Sequence, residues 1–239
     1  MEGSLTATQK APYTGENPKR IPVHQQVYFQ LREAVLFGEL APGEAVTIQG
    51  LIERTGAGMT PIREAIRRLT SEGALEFRGN RRVVVPMLTV DVIDELIFLR
   101  EMLEPKLASL AAQRATQSDI DELEALDDGL DNAIVQGDVG AYLRCNHAFH
   151  AKLYSIAQAP ILTEVAEGLW LRFGPSMRVV CWRMGTQNLP DNHKRALDSL
   201  RNRDGTATAD AIREDVLQGM EQVRAALENA GLESEQIDT

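Results

Sequence analysis

The stretch MTPIREAIRRLTSEGAL, residues 59–75, decides the fold because it combines a helix start signal, a helical apolar pattern and a glycine stop. Thr60 before Pro61 is typical of an N-cap followed by proline at the first helical position, which predicts a helix from Pro61 to about Ser71. Its apolar residues share one arc and are expected to face a core. These residues are Ile62, Ala65, Ile66 and Leu69.

The same helix concentrates arginine. Arg63 and Arg67 lie one turn apart beside the apolar arc, while Arg68 points away, between Glu64 and Glu72, and is expected to pair with them. The free N–H groups at a helix N-terminus also attract phosphate. A contact surface for DNA is one interpretation of this cationic face. The alternative is a solvated basic face held by salt bridges between residues four apart.

The flanking segments favour the DNA interpretation. A short helix near 47–54, the turn TGAG, the arginine helix and two β-runs around RGNRR follow one another. This order predicts a winged helix-turn-helix over residues 21–89, whose second helix lies in the major groove. Arg81 and Arg82 at the hairpin tip suit a wing that touches the DNA backbone or the minor groove.

Charge is unevenly distributed along the 239 residues. The net charge of −10 argues against nucleic acid, but residues 18–90 carry ten basic and seven acidic side chains. Residues 91–239 carry fourteen basic and twenty-six acidic side chains. Such asymmetry indicates two modules with different partners.

Helical periodicity dominates residues 90–230, which are predicted to form a second, all-helical domain. Polar segments 1–20 and 231–239 are predicted to be tails, the first of them disordered. No apolar run reaches the ~20 residues of a membrane helix, and Cys145 and Cys181 form no metal-type pair. A reduced, cytoplasmic protein is expected. Helices are predicted near 91–114, 118–136, 139–157, 160–182, 189–203 and 206–229.

The segments LREAVLFGELAPGEAV and TPIREAIRRL resemble the GntR family of bacterial transcription regulators. The segments LIFLREMLEPKLASLAA and NHAFHAKLYSIAQAP resemble the C-terminal helical domain of its FadR subfamily, known as FCD. The resemblance implies a mostly α protein, with an N-terminal winged helix-turn-helix and a C-terminal antiparallel helical bundle. It further implies that the bundle, residues 90–230, binds an effector and dimerises. It also implies DNA contacts from Gln49, Thr60 and Arg63. The chain departs from the family pattern at Met59, usually arginine, and at Arg82, usually glycine in the wing.

The histidines of the second half suggest a polar site. Asn146 and His150 lie four apart on one helix and can face one interior point, whereas His147 points elsewhere and is expected at the surface or in packing. Scattered histidines are more often hydrogen-bonded residues than ligands. The resemblance, however, implies a divalent metal held by Asn146, His150, His193 and, in place of a last histidine, Asp215.

Nitrogen and oxygen ligands of this kind suit Zn, Mn or Ni. Because imidazole must be neutral to bind a metal, occupancy is expected to fall below about pH 6.5. The alternative is a polar pocket in which the residues bind an effector directly or only one another. Effectors of the family are often small organic or sugar acids, so Arg100 and Arg172 are predicted to bind the effector carboxylate. In the alternative interpretation, each of these two arginines pairs instead with acids such as Glu104 on its own helix.

These observations predict an effector-responsive repressor that binds a short palindromic DNA operator as a homodimer. The basic patch is too small for tight monomeric binding, and two-fold symmetry doubles the contacts. No HExxH, G-x-S-x-G or phosphate loop occurs, so neither enzyme activity nor an organic cofactor is expected. The alternatives are a metal-dependent enzyme in a helical bundle, which lacks the Glu-x-x-His motifs it would need, and a DNA-binding scaffold without effector.

Overall fold

The N-terminal elements form a winged helix. The computed structural model describes residues 21–79, 82–184 and 191–237; the predicted tail 1–20 and Arg81 lie outside them. The apolar arc of the arginine helix is buried as predicted, in a core shared with the first helix. In chain order the elements are α1 (Val23–Leu36), β1 (Ala45–Val46), α2 (Ile48–Thr55), α3 (Met59–Ser71), β2 (Glu76–Arg78) and β3 (Arg82–Val84).

The turn between α2 and α3 determines where α3, the second helix of the helix-turn-helix, begins. Thr47 caps α2 by accepting a hydrogen bond from the Gly50 N–H at 3.0 Å, and Gly56 ends it with φ of 68°, a conformation that favours glycine. The prediction that Thr60 caps α3 was wrong, because α3 begins at Met59 after Gly58 and has no side-chain cap. Proline is tolerated within the first turn, where no N–H has an intrahelical partner.

A three-stranded antiparallel sheet forms the wing, with the strand order β1-β3-β2. The predicted hairpin is confirmed, with Phe77 opposite Val83. Val83 also pairs with Val46 of β1, a two-residue strand that was not predicted because it is too short to show a period.

The C-terminal elements form an antiparallel helical bundle, so the predicted fold class is confirmed. α4 packs against α6 and α9, α5 against α6 and α8, and α7 against α1, α4 and α6. No helix among the described residues is both long and apolar enough to cross a membrane. The helices are α4 (Val90–Arg114), α5 (Gln117–Gln136), α6 (Val139–Ala157), α7 (Pro160–Met184), α8 (Asn192–Arg201) and α9 (Gly205–Ile237).

The largest differences between predicted and observed helix boundaries are at two places. α9 continues to Ile237, so the predicted end near 229 and the tail from 231 were wrong for residues 231–237. A lone glycine at Gly231 costs a helix only about 1 kcal/mol, and its neighbours favour helix. α8 begins at Asn192, after Asp191 caps it by accepting from the Lys194 N–H at 3.0 Å.

Candidate DNA-binding surface and ligand cavity

The exposed face of α3 carries the predicted DNA contacts. Arg63 and Arg67 are exposed and line one groove with Arg82 of the wing. Within residues 21–79 and 82–184, and in the described helices beyond, none of these three arginines forms a salt bridge. Met59 at the start of α3 is half exposed. The three guanidinium groups are therefore available to phosphate.

Arg68 has a different, structural role. Its Nε donates to Glu72 Oε1 at 2.9 Å, and its guanidinium lies 3.6 Å from the centroid of the Tyr28 ring. The Tyr28 hydroxyl donates to the same Glu72 carboxylate. Of the two predicted partners only Glu72 pairs with Arg68, so the salt-bridge alternative holds for Arg68 and not for Arg63 or Arg67.

The other predicted DNA contacts are also exposed. Thr60 lies in the first turn of α3, and Gln49 lies in the first turn of α2, where its amide donates to Glu53 at 2.9 Å. Both positions are free to reach a duplex. Their DNA contacts stay predictions.

A cavity of about 350 Å³ in the helical bundle brings together the four predicted metal ligands, Asn146, His150, His193 and Asp215. They come from α6, α8 and α9. One ligand atom from each of His150, His193 and Asp215 lies within 4.8 Å of the others. Asn146 and both histidines are buried, while the Asp215 side chain is one-quarter exposed. Their role as metal ligands stays a prediction.

Two buried carboxylates lie behind the imidazole rings. Asp127 Oδ1 is 3.2 Å from His193 Nδ1, and Glu104 Oε2 is 3.2 Å from His150 Nδ1. Nε2 of each ring is directed at Asp215, at 3.0 Å from His150 and 3.6 Å from His193. A carboxylate behind the ring fixes the tautomer and orientation of metal-binding histidines. The arrangement therefore presents both Nε2 atoms to one point.

Opposite charges hold this cluster together. Burial would raise the pKa of Glu104, but Arg100 and His150 lower it to about 2. Burial would likewise raise the pKa of Asp215, but the charges of His193 and His150 lower it to about 2. Burial would lower the pKa of His150, yet Asp215 and Glu104 outweigh it and raise that pKa from 6.5 to about 9.

Arg100 lines the cavity and pairs with Glu104, so the ion pair of the alternative interpretation is present. Its contact with an effector stays a prediction. The Tyr154 hydroxyl donates to the same carboxylate, and the Trp170 indole N–H donates to the Tyr154 hydroxyl at 3.0 Å. The guanidinium lies 4.0 Å from the ring centroid of Phe173 and 4.9 Å from that of Trp170. Arg100 is thus fixed by one ion pair and two aromatic rings.

Arg172 is not brought to the cavity. It is exposed on α7, and its guanidinium lies beside Gly73 just after α3, because its position on α7 faces away from the bundle interior. Sequence reasoning also missed Asp127 as a cavity residue. A signal was present, since Asp127 occupies the apolar stripe of α5 between Leu123 and Leu130.

The indole of Trp170 lies between the cavity and the DNA-binding domain. Its ring centroid is 5.3 Å from that of His150 on the cavity side and 5.0 Å from that of His147 on the other. His147 in turn packs edge-on against Phe37, which follows α1, at 5.8 Å. His147 is therefore a packing residue, one of the two roles expected for it.

Polar and backbone contacts tie α1 to α7 at the same joint. Glu167 Oε2 lies 2.9 Å from Arg32 Nη2 of α1 and 3.5 Å from His147 Nε2. Gly174 packs directly on α1, because a Cβ at this position would lie 2.3 Å from the Leu36 carbonyl oxygen. The two domains therefore contact one another through a close-fitting helix pair.

An exposed basic helix beside a wing defines a DNA-binding protein of the winged-helix class, here joined to a helical bundle with a buried polar cavity. Family comparison agrees: residues 23–85 match "Bacterial regulatory proteins, gntR family", and residues 95–218 match "FCD domain". The chain belongs to the GntR family and carries an FCD domain. This confirms the resemblance noted in the sequence.

Relatives are transcriptional regulators as well. The HTH-type transcriptional regulator McbR of Escherichia coli K12 is 33% identical over 70% of this chain and 75% of its own length. A solved structure of E. coli McbR/YncC covers 88% of this chain and 99% of its own, with 28% identity and a TM-score of 0.78. The galactonate operon transcriptional repressor of E. coli K12 is 24% identical over 78% of this chain and 90% of its own length. The protein is a DNA-binding transcriptional regulator rather than an enzyme.

Proposed function

We propose that this regulator is a repressor released from DNA by a small carboxylic acid that binds a divalent metal in the cavity. The convergence of His150, His193 and Asp215 carries the proposal, because three helices direct their ligand atoms to one buried point. The name of the galactonate operon repressor supports both the repressor role and a sugar acid as effector. Asn146 lies beside the three side chains and completes the donor set.

The charge of the cluster favours a cation. Glu104, Asp127 and Asp215 bring three carboxylates around the two imidazole rings. Without a metal, Arg100 and the protonated His150 balance them only in part. Buried charges without partners are costly. The Nε2 atom of His193 is also buried and has no hydrogen-bond partner among the described residues. A divalent cation such as Zn²⁺, Mn²⁺ or Ni²⁺ would bind these donors and polarise the carboxylate of a bound acid.

The remaining cavity wall suits a small acid. Among the described residues, Arg100 donates to Glu104 only through Nε. Its terminal nitrogens are therefore left for a ligand carboxylate. Trp170, Phe173 and Met177 supply an apolar wall on one side. A volume of about 350 Å³ lies at the small end of ligand pockets, which excludes large effectors.

A carboxylic acid that binds this site is expected to weaken DNA binding. Metal-loaded protein would be screened by thermal shift against aldonic, uronic and short aliphatic acids, and each acid that raises the melting temperature would be added to a DNA titration. We expect at least one acid to weaken DNA affinity by about tenfold, within the usual range of allosteric coupling. His193→Ala should bind DNA normally and lose the response. An equal response in this variant would place the effector elsewhere, and no response to any acid would favour the scaffold alternative.

The route from the cavity to DNA passes through the joint between α7 and α1. An acid that displaces Trp170 would press on His147, which touches Phe37 and lies beside Glu167. Because α1 packs against α3, a shift of α1 would reposition the recognition helix. Differential contacts of this kind are what a ligand needs to bias two arrangements of a protein.

The proposed homodimer would form through α4 and α7. Phe98, Met102 and Leu99 are exposed on one face of α4, and Leu99 shares a groove with Val165 of α7, itself half exposed. Contiguous exposed apolar surface marks an interaction site. A second copy that covers it would set two recognition helices on a palindromic operator.

Met102→Asp is expected to convert a dimer to a monomer, because a charge would be buried at the interface. Sedimentation equilibrium checks this. Val135→Asp on α5 is the control, since Val135 is an even more exposed apolar residue on another helix. If both variants keep the wild-type mass, the dimer uses another surface.

Arg63→Ala and Arg82→Ala are expected to separate base reading from backbone contact. Loss of Arg63 should weaken a selected operator by about 1–3 kcal/mol and random DNA by less, if the residue reads a base edge. Loss of Arg82 should weaken both duplexes alike and reduce the salt slope by about one, as for one phosphate contact. Equal losses on both duplexes for Arg63→Ala would contradict its base-reading role.

A further inference from the structure

An apolar row crosses the wing and ends at an uncovered aromatic ring. Val46, Val83 and Phe77 lie directly opposite one another on β1, β3 and β2, and paired residues share a face of an antiparallel sheet. Val46 and Val83 are 7% and 9% exposed, whereas Phe77 is 61% exposed. The row therefore leaves the core and reaches the surface at Phe77.

The uncovered ring lies in the groove that carries the DNA-binding arginines. Phe77 lines this groove together with Arg63 and Arg67 of α3 and Arg82 of β3. The floor is apolar, formed by Val83, Val46 and Ile66. None of the three arginines is paired with an acid in the described parts of the chain, so the groove is cationic around an apolar floor.

We infer that Phe77 contacts DNA by packing its ring on the apolar edge of a deoxyribose. A duplex is the partner that fits because its backbone alternates phosphates, which suit the guanidinium groups, with apolar sugar edges, which suit the phenyl ring. An apolar protein surface would leave Arg63, Arg67 and Arg82 unpaired, and an acidic one would leave Phe77 uncovered. Apolar side chains also enter the minor groove in architectural DNA-binding proteins.

A sugar contact predicts a distinctive result for Phe77→Ala. Affinity should fall about tenfold for both a duplex selected by the wild-type protein and a random one, because every nucleotide has the same sugar. The slope of affinity against salt should stay at the wild-type value, since a phenyl ring neutralises no phosphate. Phe77→Leu should recover part of the loss because it keeps an apolar side chain.

The experiment is a fluorescence-anisotropy titration at several salt concentrations with duplexes of about 30 base pairs, long enough for two half-sites. Phe29→Ala is the control, since it removes another exposed ring of the same domain that does not line the groove. Wild-type affinity in Phe77→Ala, or a salt slope reduced by about one, would overturn the contact. A loss of affinity confined to the selected duplex would mean that Phe77 contacts a base rather than a sugar, which would overturn the inference. If Phe77→Ala changed the mass of the protein in the absence of DNA, the groove would be a contact surface for a second copy of the chain instead.

Discussion

Replacement of Glu104 by glutamine is expected to lower the melting temperature by about 10 °C. Glu104 is fully buried and pairs with the buried Arg100, so the neutral amide leaves a buried guanidinium without its counter-charge. Breaking a buried pair from one side typically costs about 3–5 kcal/mol. In a chain of this length each kcal/mol moves the melting temperature by about 2–4 °C. Differential scanning calorimetry measures the shift.

Asp94→Asn is the matched control. Asp94 also pairs with an arginine, Arg224, at 2.8 Å, but both side chains are substantially exposed. Exposed pairs are screened by water and contribute little, so the control should melt close to the wild type. If Glu104→Gln and Asp94→Asn lowered the melting temperature by similar amounts, the buried Arg100–Glu104 pair would contribute no more stability than an exposed pair.

Chelation of the metal-loaded protein is expected to lower its melting temperature by a similar amount, about 10 °C. A ligand present at a thousand times its Kd stabilises the native state by about 4 kcal/mol. His150→Ala and His193→Ala should remove most of this difference, because each deletes one imidazole ligand. Elemental analysis and melting curves with and without EDTA provide the measurement. Wild-type protein that takes up no Zn²⁺, Mn²⁺ or Ni²⁺ would reduce the cluster to a polar pocket.

The pH dependence of metal binding follows from His150. In the chelated protein its pKa is raised to about 9, so its contribution to the free energy of unfolding is complete below pH 6.5 and is lost as pH rises through about 9. Metal needs the neutral ring and must displace that proton. Affinity should therefore rise about tenfold per pH unit between about pH 7 and 8.5, as calorimetric titration would test. A flat profile over this range would exclude His150 as the ligand that loses a proton.

This expected profile differs from the one drawn from the sequence. The sequence-based expectation assumed an ordinary imidazole pKa and therefore placed the loss of metal below about pH 6.5. In the structure, two carboxylates lie beside His150. Glu104 lies on α4 and Asp215 on α9, far from His150 along the chain. No local pattern reveals that three distant side chains share one charge environment, so proton competition begins at a higher pH than the sequence suggested.

Local patterns predicted the helices well, because each depends on residues close in sequence. The apolar arc of α3 was visible as a period of 3.6, and the hairpin of the wing as two β-runs around a turn. β1 was missed because two residues show no period. The start of α3 was misplaced because a proline signals a first turn but not which of its residues begins it.

The candidate site was predictable only where a motif carried it. The spacing of Asn146 and His150 fixed two members on one helix, and family resemblance supplied His193 and Asp215. Arg172 was wrongly placed at the cavity, because helical periodicity shows which residues share a face but not which neighbour that face contacts. Asp127 lay within an acidic segment, where its place on the apolar stripe of α5 was the single local sign of burial.

The position of Trp170 has a consequence for engineering this protein as a biosensor. Its indole forms part of the cavity wall and also packs on His147 at the joint with α1. Substitutions at Trp170 would therefore change what the sensor detects and how strongly it responds at the same time. The α5 wall offers a better place to retarget it, since Leu130 and Ile134 line the cavity from a helix that packs mainly on α6 and α8. A library at those positions would vary selectivity and leave signal transmission intact.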